Sequence, residues 1–160
     1  MTAMETMVRD VMTRDPITID PEAPVATAVA AMQEQKVRHL PVQDDAGRLV
    51  GLVTDRDLRC ALFAPAIVDY LSASARRRRR GAGEALENLR LRAVMTWDPL
   101  TTGPDVPVAR AAARMLEHRV GCLPVVEAGK LVGIVTERDV LRALAGRAPA
   151  ARGVDPAFLW

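Results

Sequence analysis

The sequence predicts a mixed α/β (α+β) fold in which two copies of a β-α-β-β-α unit pack sheet to sheet about an internal pseudo-twofold axis. Three observations predict it: motifs that recur in the same order, helical spacing of apolar residues, and paired β-prone runs joined by turns. The copies span residues 7–62 and 90–145. Because a unit of that size is marginally stable alone, we expect the two copies to share one globule.

The duplication rests on three motifs. The offset between copies is 83 residues as far as the second motif and 82 after it, because a turn is one residue shorter in the second copy. The motifs are Val-Met-Thr-x-Asp-Pro at Val11–Pro16 and Val94–Pro99, Leu-Pro-Val at Leu40–Val42 and Leu123–Val125, and Gly-x-Val-Thr-x-Arg-Asp at Gly51–Asp57 and Gly133–Asp139.

Each copy is predicted to contain a short β-prone run, an amphipathic helix, a β-hairpin and a second helix. The amphipathic helix follows from apolar residues at i, i+3, i+4 and i+7, starting at Val25 and Val108. Pro24 and Pro107 precede it, where a missing N–H costs nothing. The other elements are β-prone runs at Ile17–Ile19 and Leu100–Thr102, strands near Val37–Val42 and Leu49–Val53 and their counterparts, and helices from Asp55 to about Leu62 and from Glu137 to about Leu144.

Composition excludes several classes of protein. The chain has 160 residues, 49% of them hydrophobic, with a net charge of +2 and two cysteines, so a disulfide scaffold and a uniformly basic surface are excluded. No apolar run approaches the ~20 residues of a membrane span, and acidic and basic residues interrupt the N-terminus where a secretion signal would be apolar. We therefore expect a cytoplasmic protein without a membrane partner.

Catalytic and metal-binding patterns are sparse. His39 and His118 have no evident partner acid or nucleophile, so we expect no enzyme activity and no catalytic cofactor. Cys122 occupies the position that corresponds to His39 in the other copy, and a site that uses both residues across the pseudo-twofold axis is the alternative. Two ligands are too few for a structural zinc site, which needs four.

The duplicated motifs together resemble the tandem cystathionine-β-synthase (CBS) domain pair, or Bateman module. The resemblance covers most of the chain. It implies a regulatory module that binds adenine nucleotides or other adenosyl compounds (AMP, ADP, ATP, S-adenosylmethionine or NAD) in clefts between the repeats and relays occupancy to a partner protein. It also implies a homodimer in which four repeats form a flat disc.

The segments Thr54–Asp57 and Thr136–Asp139 each follow a strand and open a helix. A helix N-terminus suits a phosphate, a threonine there can donate to it, and an aspartate one turn on can accept from ribose hydroxyls. The alternative is a helix capping box, and both roles are compatible. The resemblance implies ligand contacts for Thr54, Asp57, Thr136 and Asp139, to which Arg56 and Arg138 would add positive charge.

The residues before Leu-Pro-Val differ between the copies: Arg38 and His39 in one, Gly121 and Cys122 in the other. The resemblance implies phosphate contacts for the basic pair and therefore asymmetric sites. His39 would make binding sensitive to pH near neutrality. The alternative is that Arg38 and His39 are solvated or packed in strand pairing.

Four further positions match residues that line the adenine pocket in the family. They flank the turn into each first helix, and ordinary turn residues are the alternative interpretation. They are Thr18 and Ala23 in the first copy and Thr101 and Val106 in the second.

The insert at residues 63–93 concentrates the positive charge, and residues 146–160 form a C-terminal tail that ends in aromatic residues. Residues 76–93 carry seven arginines, five of them at Arg76–Arg80, and two glutamates. A solvated loop is the simplest interpretation; an acidic protein partner, an entry for nucleotide phosphates and a nucleic-acid contact are alternatives. A scaffold with vestigial pockets that acts through this insert is the alternative function. Nucleic acid is the least favoured of these partners, since aromatic residues that could stack on bases are missing nearby.

Overall fold

The computed structural model describes residues 6–61 and 88–146. Residues 55–61 form helix α3. In chain order the elements are α1 Val8–Val11, β1 Thr13–Arg14, α2 Val25–Gln35, β2 His39–Gln43, β3 Leu49–Thr54, α3, a 3₁₀ turn Leu91–Ala93, β4 Thr96–Trp97, α4 Val108–His118, β5 Cys122–Glu127, β6 Lys130–Thr136 and α5 Glu137–Leu144.

The amphipathic helices α2 and α4 confirm the predicted spacing. In α2 the buried residues are Val25, Ala28 and Met32, and the equivalent residues of α4 are buried in the same way. Pro24 and Pro107 are the N-cap residues, one position before the first helical residue. The core-facing stripe therefore has the same phase in both repeats.

Two three-stranded sheets form, in the orders β1-β6-β5 and β2-β3-β4. Each sheet therefore contains a hairpin from one repeat and a short strand from the other. Thr13 of β1 pairs with Ile134 of β6, and Trp97 of β4 pairs with Gly51 of β3. The Val-Met-Thr motif of each repeat thus extends the sheet of the other repeat.

The predicted first strands are smaller than expected. Of the two β-prone runs, only Ile19 and Thr102 pair, each through one parallel bridge, to Val42 and Val125 respectively. The run in the first repeat ends there because the chain turns at once: the Ala23 amide donates to the Asp20 carbonyl at 3.1 Å. The short strands of each repeat lie earlier, on the Val-Met-Thr motif.

The segment that precedes the first helix of each repeat is buried in the core of the other repeat. Val8 is fully buried in the core of the second repeat, whereas Leu91 and Met95 are buried in the core of the first. The Val8 amide donates to the Val106 carbonyl at 2.9 Å, and the Leu91 amide donates to the Ala23 carbonyl at 3.0 Å. Each repeat therefore completes its core with residues from the other.

Glycines of the Gly-x-Val-Thr motif make room for the exchanged methionines. A Cβ atom at Gly133 would stand 2.5 Å from Sδ of Met12, and one at Gly51 would stand 2.6 Å from Sδ of Met95. Real carbon and sulfur atoms do not approach so closely. The motif therefore carries glycine because a methionine of the opposite repeat covers it.

A third apolar cluster joins the two sheets. It consists of Leu52 from the first repeat with Cys122 and Ile134 from the second. Leu52 and Ile134 are equivalent positions of the two repeats, so the contact lies at the pseudo-twofold axis. The predicted sheet-to-sheet packing of two repeats is confirmed. Between residues 6–61 and 88–146, none of the helices has the length and apolar character to cross a bilayer.

Candidate functional site

Thr54 and Asp57 are joined by three hydrogen bonds at the start of α3. The amide and the hydroxyl of Thr54 both donate to Oδ2 of Asp57, at 2.9 and 2.7 Å, and the Asp57 amide donates to Oγ1 of Thr54 at 3.2 Å. Thr136 and Asp139 repeat these bonds at 2.8, 2.7 and 3.4 Å. The capping-box interpretation is confirmed at both helices. The ligand contacts of these residues stay a prediction.

The two boxes differ in their surroundings. Asp139 is 7% exposed, and Nη1 of Arg142 lies 3.6 Å from its Oδ1. In the first repeat Asp57 is half-buried, and the counterpart of Arg142 is Cys60. Of the two motif arginines, Arg56 is exposed and Arg138 is half-buried.

Hairpin pairing places the residues before Leu-Pro-Val beside the boxes. His39 pairs with Thr54 in the register of β2 and β3, as Cys122 pairs with Thr136 in β5 and β6. Just outside each pair, the Asp55 amide donates to the Arg38 carbonyl at 2.9 Å, and the second repeat has the same bond from Glu137 to Gly121 at 3.0 Å.

Residues of the two repeats meet across the pseudo-twofold axis. A Cβ atom at Gly121 would stand 3.8 Å from Nε2 of His39 and 3.7 Å from Oε2 of Glu137. The negative charge of Asp57 also contributes to the raised pKa of Cys122 in the other repeat. The structure thus brings together the predicted positions around both boxes, and it adds Glu137, which sequence reasoning did not single out.

His39 is neutral at physiological pH. Its pKa is lowered from 6.5 to about 4, mainly by burial and then by the charge of Arg38, whereas the charges of Asp55 and Asp57 oppose the shift. The prediction of pH sensitivity near neutrality is therefore wrong, because the imidazole is desolvated beside the opposite repeat. Arg38 itself is exposed.

Cys122 packs as an apolar core residue. Burial, with the charges of Glu137 and Asp57, raises the pKa of its thiol to about 12, so it stays protonated. In residues 6–61 and 88–146, no group of three or more His, Cys, Asp and Glu side chains could hold a metal ion.

The four adenine-pocket positions lie on the turns into α2 and α4, as expected. Thr18 is exposed, and Ala23 and Val106 are half-buried against the two cores. The carbonyl of Thr101 accepts a hydrogen bond from Nη1 of Arg114 at 2.8 Å. Arg114 is a residue that sequence analysis missed, since its counterpart is Ala31 and nothing in its motif marks it. Adenine contacts stay a prediction for these positions.

A surface cavity of about 290 Å³ lies apart from these residues. None of the predicted site residues lines it. Its lining comprises Arg9, Met12, Arg14, Asp15, Pro104, Glu127 and Val132. The arginine run Arg76–Arg80 and the tail from residue 147 onward lie outside the described residues, so their proposed roles stay predictions.

Comparison with known proteins identifies the family. The model of the CBS domain matches the chain twice, at residues 8–64 and 91–146. A CBS domain-containing protein of Dictyostelium discoideum is 32% identical over 145 residues, which cover 88% of this chain and 92% of that protein. Homoserine O-acetyltransferase of Methanococcoides burtonii is 36% identical over 140 residues, but the matched part is 87% of this chain and 24% of that enzyme.

Solved structures agree with this assignment. CBSX2 of Arabidopsis thaliana, solved in complex with AMP, is 32% identical with a TM-score of 0.68, and the match covers 88% of this chain and 96% of that one. The CBS domain pair of protein MJ0100, solved with 5′-methylthioadenosine and S-adenosylmethionine, is 27% identical with a TM-score of 0.70, covering 88% and 97%. The chain therefore belongs to the CBS domain family, as a tandem pair of CBS domains.

Proposed function

We propose that the chain is a regulatory, non-catalytic module that binds an adenosyl compound between its two repeats. The observation that carries the proposal is the duplicated Thr–Asp box, placed at two helix N-termini beside residues that meet across the pseudo-twofold axis. The AMP complex of CBSX2 and the adenosyl complexes of the MJ0100 pair support this ligand class.

The proposed contacts follow from the chemistry of the box. The Thr54 hydroxyl donates to Asp57 at 2.7 Å, so a phosphate that accepts from the same hydroxyl competes with that bond. Rotation of the hydroxyl toward the phosphate would free Oδ2 of Asp57 to accept from ribose hydroxyls. The helix N-terminus favours the added negative charge. Thr136 and Asp139 offer the same exchange in the second repeat.

Exchanged strands supply a route from occupancy to a partner. Because β1 and β4 each extend the sheet of the other repeat, a change in the angle between the repeats must move both sheets. A ligand that binds one angle more tightly shifts the population toward it. We propose that this shift alters the surface recognised by a regulated protein.

We also propose a homodimer, whose contact face includes the outer surface of the second repeat. Leu116 is 79% exposed, and Leu141 and Leu144 are 64% and 63% exposed. Leucines this exposed on two neighbouring helices favour burial against another chain. The counterparts of Leu116 and Leu141 are the polar residues Gln33 and Arg59, so these two apolar positions belong to the second repeat alone, whereas Leu144 corresponds to Leu62.

Calorimetric titration with AMP, ADP, ATP, S-adenosylmethionine and NAD tests the proposed function. We expect saturable binding of at least one compound, and at least tenfold weaker binding when Asp57→Asn or Asp139→Asn removes the anionic acceptor (a loss of ~1.4 kcal/mol or more). Asp45→Asn is the matched control, since Asp45 is exposed in the β2–β3 turn.

Silence across the panel from a folded protein would contradict the proposal. Equal losses in the Asp45 control would also contradict it, because net charge and not the box would then govern binding. Silence would favour the scaffold alternative, in which replacing Arg76–Arg80 by serine abolishes capture of a partner.

A further inference from the structure

The two halves of the inter-repeat cleft carry different charges. Around the first box, Arg38, Arg56 and Arg59 accompany Asp55 and Asp57, which leaves one net positive charge. The equivalent positions around the second box hold Gly121, Arg138, Leu141, Glu137 and Asp139, which leave one net negative charge; Arg142, at the position of Cys60, brings that half to neutral.

The contrast comes from the basic positions, because an acid follows the threonine in both repeats. In the first repeat Asp55 is held by Arg59, whose Nη2 lies 2.9 Å from its Oδ2 on the next helical turn. Glu137 is the counterpart of Asp55, but the position of Arg59 is taken by Leu141. The charge of Glu137 therefore lacks the intrahelical partner that its counterpart has.

Glu137 instead lies beside Gly121, which is the counterpart of Arg38. The Cβ position of Gly121 lies 3.7 Å from Cδ and Oε2 of Glu137 and 3.8 Å from Nε2 of His39. The first repeat has an arginine at this position, whereas in the second repeat Gly121 has no side chain and is bordered by the Glu137 carboxylate and the neutral His39 imidazole. Glu137 is exposed, but a charge that borders Gly121 lies within the ~8 Å Debye length of a group bound there, so salt screens their interaction only in part.

We propose that Glu137, set against the side-chain-free Gly121, is a specificity-determining residue that excludes phosphates from the second half of the cleft. That half takes an adenosyl compound whose 5′ substituent carries no negative charge, and the first half, with Arg38, takes the 5′-phosphorylated compound. The inference rests on the proposed function and divides its ligand class between the two sites.

Paired titrations with AMP and 5′-methylthioadenosine test this division. In the wild-type protein, AMP is expected to saturate one half, after which 5′-methylthioadenosine still binds the AMP-saturated protein. Glu137→Gln keeps the shape of the side chain and removes its charge. AMP is therefore expected to bind the second half at least about tenfold more tightly and to compete with 5′-methylthioadenosine there. Glu117→Gln is the matched control: the same change of charge, at a 75% exposed side chain in the last turn of α4, leaves both affinities unchanged.

A reciprocal variant tests the same claim without touching Glu137. A Cβ at Gly121 meets its neighbours at ordinary contact distances, so the backbone position admits a Cβ, and Gly121→Arg would supply the guanidinium that Arg38 supplies in the first repeat. It is expected to raise AMP affinity in the second half.

The outcomes separate the two proposals. If AMP fills both halves of the wild-type protein equally, or if neither variant changes the preference for AMP over 5′-methylthioadenosine, the role of Glu137 is overturned and the proposed function stands. If the folded wild-type protein binds no adenosyl compound at all, the proposed function fails and this inference fails with it.

Discussion

Gly133→Ala tests the exchange of methionines between the repeats. The new Cβ would stand 2.5 Å from Sδ and 3.1 Å from Cγ of Met12, and 3.0 Å from the carbonyl oxygen of Thr13. Favourable non-bonded contacts lie near ~3.5–4.0 Å, so the methionine must move by about 1 Å. Its side chain is flexible, but the Thr13 backbone is fixed by pairing with Ile134.

The expected cost follows from two opposing terms. Overpacking a well-packed site costs about 1–3 kcal/mol, whereas Gly→Ala restricts the unfolded chain and returns about 0.4–1 kcal/mol. We therefore expect Gly133→Ala to lower the free energy of unfolding by about 1–2 kcal/mol. Urea denaturation followed by circular dichroism measures it. Gly103→Ala is the control, because its Cβ would meet Cγ2 of Val106 at 3.7 Å, an ordinary contact.

A double-mutant cycle identifies the cause. In a Met12→Ala background the contacts with Sδ and Cγ are absent but the contact with the Thr13 carbonyl oxygen remains, so the additional cost of Gly133→Ala is expected to fall without vanishing. An unchanged cost in that background, or a Gly133→Ala protein as stable as the wild type, would refute the packing of Met12 over Gly133.

Three further perturbations probe the core, the axis and the proposed dimer. Thr102→Val removes a hydroxyl that, among the described residues, is the one buried side-chain polar atom without a hydrogen-bond partner, so urea unfolding should show a gain of about 1 kcal/mol; a loss would indicate a hidden partner. Between pH 6.5 and about 4 the histidine binds a proton in the unfolded state but not in the folded state, so the free energy of unfolding should fall as the pH falls through this window. His39→Gln should flatten that slope in urea titrations at pH 7 and 5, and an unchanged slope would contradict the assigned pKa. Leu141→Glu with Leu144→Glu should convert the proposed dimer to a monomer in sedimentation velocity; a dimer that the two substitutions leave unchanged would place the interface elsewhere, and a monomeric wild-type protein would contradict the proposed dimer.

Local signals in the sequence predict the helices and hairpins well. The spacing of Val25, Ala28 and Met32 defines the buried face of α2, because a helix repeats every 3.6 residues whatever it packs against. The start of α5 at Glu137 follows from Thr136, since the two residues of a capping box, here Thr136 and Asp139, lie three positions apart in the sequence.

The exchange between repeats could not be predicted in this way. The apolar character of Val8 and Leu91 indicates that they are buried but not which core they enter. Strands of two residues, such as Thr13–Arg14, carry no periodicity of their own, so their partners are set by tertiary packing.

In the candidate site, too, the local features could be predicted from the sequence and the contacts between distant residues could not. The Thr–Asp pairs were found because their spacing is fixed along the chain. The approach of His39 to Gly121 joins residues more than eighty positions apart, and the lowered pKa of His39 is a consequence of that burial. Glu137 went unnoticed because its environment depends on Gly121, the residue without a side chain that precedes the neighbouring strand β5.

A structure determined from crystals of the protein grown with AMP tests most directly the claim that an adenosyl compound binds between the repeats. We expect AMP between the repeats, with a ribose hydroxyl within hydrogen-bonding distance of the Asp57 carboxylate and the phosphate on the Thr54 and Arg38 side. AMP bound outside the cleft, for instance in the cavity beside Arg9 and Arg14, or an empty cleft at saturating AMP, would contradict it.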